Sequence, residues 1–256
     1  MLQTWLQALP YLLGAGFITW LLSVQLRNVA IVDTLWSLMF LLAACVYAAA
    51  STPLGPRAQL LLAMVAIWGL RLAIYLGIRT YGHEEDRRYQ KIRRRNDPGF
   101  AWKSLYLVFG LQAVLAWIIS LPLLGGIVGD ASPLGLLDYA GAALWLVGLY
   151  FEAVSDWQLA RFKADPANAG QVMDRGLWGL TRHPNYFGDF CIWWGFGLIA
   201  LAAGAWWSLP GPVLMSVLLL RVSGVTLLER DIGKRRPGYE DYIRRTNAFF
   251  PGPRRR

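Results

Sequence analysis

The chain is poor in the residues from which most soluble active sites are built. Of 256 residues, two are cysteine and two are histidine. Cys45 and Cys191 both fall in apolar runs, so no disulfide framework or thiolate metal site is on offer; cysteines so placed act as small packing residues. His83 and His183 are remote from one another and belong to no HExxH or three-ligand pattern, which argues against a metal. No Gly-x-Gly-x-x-Gly follows a strand, and no strand signal exists, so a Rossmann fold is excluded. A Gly-x-Ser-x-Gly elbow is missing, and Ser155-Asp156 has no histidine at useful spacing, which disfavours covalent catalysis. Repeats of the inverted-transporter kind are absent as well. Charged residues are scarce, 16% against 56% hydrophobic, with a mean hydropathy of +0.38.

What the chain has in quantity is apolar sequence of bilayer length. About 20 apolar residues in a helix cross the hydrocarbon core. Such runs occur at Leu6–Gln25, Ala30–Ala50, Leu60–Ile78, Ser104–Ile127, Leu134–Glu152, Tyr186–Trp206 and Gly211–Leu228. The expected fold is therefore an all-α integral membrane protein of seven transmembrane helices, forming one domain over residues 1–256. The first run lacks a basic leader and a small-residue cleavage site, so it reads as a retained helix.

The formal net charge of +9 is distributed by side. Lysine and arginine crowd the connections Thr80–Lys103 and Ala153–Asn185 and the tail after Glu229, while the alternate connections hold only Arg57. That alternation is the positive-inside pattern; it predicts the N-terminus outside, the C-terminus in the cytoplasm, and no role in nucleic-acid binding. The short connections carry turn-forming glycine and proline. The long polar ones share one face, where a soluble reagent would enter.

Polar groups inside the runs are the second signal, because each is costly against lipid and normally faces a cavity or a partner. Asp33 lies in the second run, one turn before Trp36. Arg71 and Tyr75 share a helix face in the third, and Glu152 and Asp156 do so at the end of the fifth. Asp189, Arg221 and Glu229 follow. The densest cluster is Arg182-His183-Pro184-Asn185-Tyr186-Phe187-Gly188-Asp189, at the mouth of the sixth run.

This segment resembles the Arg-His-Pro-Asn-Tyr-x-Gly-Asp signature of the NADPH-dependent steroid 5α-reductases, their bacterial relatives and, more distantly, the sterol reductases. Trp68-Gly-Leu-Arg71, Glu85-Asp86-Arg87-Arg88-Tyr89, Ser155-Asp156-Trp157, Leu227-Leu228-Glu229 and Tyr239–Tyr242 extend the resemblance over most of the chain. It implies a bacterial inner-membrane enzyme, a monomer, that binds NADPH from the cytoplasm among its later helices. A lipophilic steroid-like enone would enter from the bilayer among the earlier ones. Hydride would go to C5 of a 3-oxo-Δ4-steroid-like substrate and a proton to C4. Carried over by position, Arg71, Tyr75, Arg79, Asp156, Lys163, Arg182, His183, Asn185, Tyr186, Asp189, Glu229 and Tyr242 would meet the cofactor. Asp33, with Trp36 or Trp68, would polarise the carbonyl; a buried neutral carboxyl can donate such a hydrogen bond, and an indole N–H is a donor only. Trp68 stands where the mammalian reductases place a tyrosine. The alternative is a methyltransferase similar to the isoprenylcysteine carboxyl methyltransferases, which share a related histidine-proline run and use S-adenosylmethionine.

Overall fold

The computed structural model describes residues 1–129, 132–222 and 238–255. Their regular elements are all helices, with a single isolated bridge between Thr181 and Asn247. Among the described residues, five helices are long and apolar enough to cross a membrane: α1 (Leu2–Leu26), α2 (Ile31–Ala49), α3 (Pro56–Thr80), α5 (Phe100–Ile119) and α7 (Leu136–Ala164). The sixth and seventh expected runs hold α8 (Pro184–Ala202) and α9 (Pro210–Val217), which are not among these five. In α8 the first turns carry Asn185, Tyr186 and Asp189, and the described part of the seventh run stops at Val222.

Two boundaries differ from the sequence reading. The connection after α3 is not a plain loop, since Arg87–Asn96 forms α4. Asp86 caps it by accepting from the Arg88 backbone N–H at 2.8 Å, as an aspartate at a helix start should. The fifth run does not stop at Glu152; α7 continues for three more turns to Ala164, because nothing between them breaks a helix and Arg161 and Lys163 suit its last turn.

The chain forms two compact units. The first comprises residues 1–135 and 200–210. There α1 and α2 are joined by a tight reversal: Arg27 adopts a left-handed conformation (φ 51°), and the Asn28 side chain accepts from the Ala30 N–H at 2.9 Å. In the α2–α3 pair, Ser37 Oγ donates to the Gly69 carbonyl at 2.9 Å. Helix α5 contains a π-turn over Leu105–Gly110. Near its end Trp117 stacks on Trp5 of α1, centroids 3.8 Å apart, and each indole N–H donates to the other's carbonyl. Ser120 then separates α5 from α6 (Leu121–Val128), and its hydroxyl pairs with that of buried Tyr47 at 2.7 Å. Phe40, Trp68, Leu61, Phe109 and Leu123 are wholly buried, and the dispersion contacts of such close-packed side chains hold a membrane bundle together.

The second unit comprises residues 136–199 and 211–256. Helices α7 and α8 run antiparallel and meet through glycines. A Cβ on Gly141 would lie 2.7 Å from the Gly195 carbonyl oxygen, and one on Gly148 would lie 2.5 Å from that of Gly188. Such contact is possible only without side chains, the small-residue packing that membrane helices favour. A short helix, α10 (Tyr239–Arg245), leads into the C-terminal segment.

Candidate functional site

Each unit holds one dense polar cluster. In the first unit, α4 folds one face onto the ends of α1, α2 and α5. Tyr89 joins Trp20, Val29, Val32, Phe100, Val108 and Phe109 in a buried cluster, with Ile92 packed against it. Asp33 faces this helix. It accepts from Arg88 Nη2 at 2.7 Å and from the Tyr89 hydroxyl at 2.5 Å. Gln112 Nε2 donates to the same hydroxyl at 3.3 Å. Arg88 also binds Asp86 Oδ1 through Nε at 3.0 Å, and its guanidinium lies 5.6 Å from the Tyr89 ring centroid. Beside them Glu85 is gripped from three sides: by Arg93 Nη2 and Nε at 2.8 and 2.9 Å, and by the Val29 N–H at 2.9 Å.

The electrostatics follow from these contacts. Burial opposes ionisation of Glu85, but the hydrogen bonds from Arg93 and Val29 outweigh it and hold the carboxyl below its ordinary value. Asp86 behaves alike, with burial overcome by the charge and hydrogen bonds of Arg88. Burial and the neighbouring Asp33 charge push the Tyr89 phenol well above its ordinary value, so Tyr89 keeps its proton.

Asp33 therefore differs from its expected setting. It lies in the first turn of α2 rather than deep in an apolar helix, and a guanidinium sits against it. Both of its oxygens accept, one from Arg88 and one from Tyr89, where the sequence reading expected a donor. Trp36 is half-buried and meets Phe40 edge-on at 5.1 Å; Trp68 is wholly buried, 5.9 Å from Phe40. On the last turns of α3, Arg71 and Arg79 lie 6.0 and 5.8 Å from the Tyr75 ring, with Arg79 exposed. Sequence reasoning did not single out Tyr89, Arg88 or Gln112 for the site. The signal was there in the helical period, which sets Tyr89, Ile92 and Asn96 on one face of α4.

In the second unit the signature segment ties three stretches of chain together. The Arg182 N–H donates to Asn247 O at 2.9 Å, and Thr181 Oγ1 donates to Phe249 O at 2.8 Å. Buried Arg182 sends Nη1 to Thr246 O at 2.7 Å and Ile243 O at 3.1 Å, closing the end of α10 as a cation should. Tyr242 donates to Trp178 O at 2.6 Å, and Trp178 Nε1 donates to Ser155 O of α7 at 3.0 Å. Burial pushes the Tyr242 phenol upward. Arg182 and Tyr242, both expected at a cofactor, thus make these contacts within the chain. His183 stacks on Tyr186 at 5.8 Å between centroids. His183 and Asp156 are buried, Asn185, Tyr186 and Asp189 are half-buried, and Lys163 is exposed. Glu229 lies outside the described residues.

Comparison with known proteins gives these clusters a family. A family profile described as "Protein of unknown function (DUF1295)" matches residues 19–246, and the chain belongs to that family. It is 23% identical over 274 residues to the uncharacterized protein C594.04c of Schizosaccharomyces pombe, covering 92% of this chain and 76% of that one. It is 37% identical over 86 residues to 3-oxo-5-alpha-steroid 4-dehydrogenase 1 of Rattus norvegicus, covering 32% of this chain and 30% of that enzyme. No solved structure matches.

Proposed function

We propose that this DUF1295 member is an NADPH-dependent membrane reductase of the steroid 5α-reductase type, acting on a flat lipophilic enone. The observation that carries the reading is the 37% identical stretch shared with the rat 3-oxo-5-alpha-steroid 4-dehydrogenase. The S-adenosylmethionine alternative is not favoured by the comparisons.

The donor set suits a dinucleotide. Exposed Lys163 supplies a cation for phosphates, as charge-assisted contacts require. Half-buried Asn185, Tyr186 and Asp189 offer an amide, a phenol and a carboxylate in the first turns of α8, which match a carboxamide and ribose hydroxyls. When bound, the cofactor supplies hydride to the enone β-carbon. The chain's own task is then to bear the charge that develops on the carbonyl oxygen. Tyr89 is our candidate for that hydrogen bond: burial and the Asp33 charge keep it protonated, and its single O–H, which donates to Asp33 here, would have to turn to the carbonyl oxygen as charge develops there. Asp33 and Arg88 position it, with Asp33 fixing the phenol at 2.5 Å and Arg88 adding positive charge over the ring.

The test is ligand-induced thermal stabilisation of the purified chain in detergent, with NADPH, NADH and S-adenosylmethionine compared. A ligand at 100 times its Kd stabilises by about 2.7 kcal/mol. NADPH should raise the melting temperature most, and Asn185→Ala and Asp189→Ala should each abolish the rise. Stabilisation by S-adenosylmethionine alone would overturn the reading.

A further inference from the structure

Helix α4 has a second face that the proposed chemistry does not use. At 100° per residue, Arg87, Lys91, Arg94 and Arg95 fall within an arc of about 100°, and all four are exposed. The opposite face carries Tyr89 and Ile92 into the buried cluster. Arg88 and Arg93 flank that inner face and are engaged by Asp33, Asp86 and Glu85. Asp33, Glu85 and Asp86 thus engage the inner flanks of the helix, and the outer stripe carries four cations. Over residues 79–103 the sequence holds eight lysines and arginines against four aspartates and glutamates.

Connectivity fixes where this stripe lies. Residues 81–86 join α4 to α3, and residues 97–99 join it to α5. Both neighbours are helices able to cross a membrane, so α4 is tethered at both ends to the bilayer surface. Aromatic side chains flank it at the same level: Tyr81 is 88% exposed, Trp102 72% and Tyr106 62%. Exposed tryptophan and tyrosine at helix ends mark the headgroup layer. A cationic stripe at that depth is complementary to lipid phosphate, and a polybasic juxtamembrane helix binds anionic leaflets. A soluble acidic protein would match the charge but would not call for the aromatic flank.

We infer that the outer face of α4 is a docking surface for anionic phospholipid headgroups, with Arg87, Lys91, Arg94 and Arg95 as its phosphate contacts. It holds the α4 end of the first unit against an acidic leaflet, whatever reaction the protein performs.

Native mass spectrometry of the full-length protein from mixed micelles of phosphatidylglycerol and phosphatidylcholine tests this. The parent should retain phosphatidylglycerol in preference to phosphatidylcholine. A cation near an anionic surface is worth about a factor of five in binding, so Arg87→Gln/Lys91→Gln/Arg94→Gln/Arg95→Gln should weaken retention by more than tenfold. Arg87→Lys/Arg94→Lys/Arg95→Lys should hold the lipid nearly as the parent does, which separates lost charge from a damaged fold. A control with equal charge removed elsewhere, Arg175→Gln/Arg244→Gln/Arg245→Gln/Arg255→Gln, should keep the preference. Parental retention by the α4 variant would overturn the inference, as would an equal loss in the control. So would stripe-dependent binding of polyglutamate without any preference for phosphatidylglycerol.

Discussion

At the residue scale, the informative contact is between Asp33 and Tyr89, which are 56 positions apart. If Tyr89 carries the hydrogen bond to a developing enolate, its loss should appear in the chemical step. Tyr89→Phe should slow single-turnover reduction of a Δ4-3-ketone by about a hundredfold, the usual cost of one transition-state donor, with NADPH affinity unchanged. Asp33→Asn should fall between parent and Tyr89→Phe, because an amide still accepts from the phenol but no longer pairs with Arg88. Parental turnover by Tyr89→Phe would return the search to Trp36 and Trp68. Glu85 provides a separate readout on stability. Its folded carboxyl lies below the ordinary value of 4.5, so its contribution is complete above that value. It is lost as the pH falls through the lowered folded value. Acid titration of the melting temperature should therefore show a decline below about 4.5, and Glu85→Gln should lower the neutral-pH stability while flattening that decline. A decline of the same size in Glu85→Gln would assign the acid sensitivity to other carboxylates. Asp33 was legible in the sequence because an acid in an apolar run stands out. Tyr89 was not, since it sits among arginines and its partner is remote in the chain.

At the scale of elements, α7 and α8 depend on the missing side chains of Gly141, Gly148, Gly188 and Gly195. A methyl group at Gly148 would meet Gly188 O at 2.5 Å and Ile192 N at 2.8 Å, both backbone atoms that cannot turn aside. Gly148→Ala should therefore force the helices apart, at a cost of about 1–3 kcal/mol, read as a lower melting temperature in detergent. Gly14, with nothing within 4 Å of its added Cβ, is the matched control, and Gly14→Ala should be neutral or slightly stabilising. Equal melting of the two variants would show that the glycine contacts do not limit the approach of α7 and α8. The apolar runs made most helices readable, because burial in lipid demands length and hydropathy that few other structures share. α4 was not read, since its ten residues include five arginines and one lysine and look like a solvated loop. Its amphipathic period is visible only when the inward Tyr89 and Ile92 are weighed against the outward cations. The contacts of Arg182 were hidden for a different reason. It donates to backbone carbonyls at Ile243 and Thr246, and a carbonyl leaves no trace in side-chain chemistry.

At the scale of the whole molecule, the proposed chemistry requires one face to meet a soluble cofactor. Helix α3 has 25 residues and so spans about 37 Å, more than the roughly 30 Å of the hydrocarbon core. Thr52 before it and Glu84 after it must then lie on opposite sides of the membrane if α3 crosses. Arg79, Asp33 and the whole of α4 belong to the Glu84 end, since α1 and α2 turn at Arg27–Ala30 and the Val29 N–H reaches Glu85 at 2.9 Å. By the positive-inside rule the basic residues of that end predict that it faces the cytoplasm, as the proposed use of NADPH requires. Single cysteines at the two positions, in a Cys45→Ala/Cys191→Ala background, decide the matter with a membrane-impermeant maleimide. Thr52→Cys should react in intact cells, and Glu84→Cys only after permeabilisation. The reverse pattern would turn the molecule over and remove Arg79 from any cytoplasmic cofactor. Labelling of both in intact cells would mean that α3 does not cross, and the α4 end would then no longer be held on the cytoplasmic face.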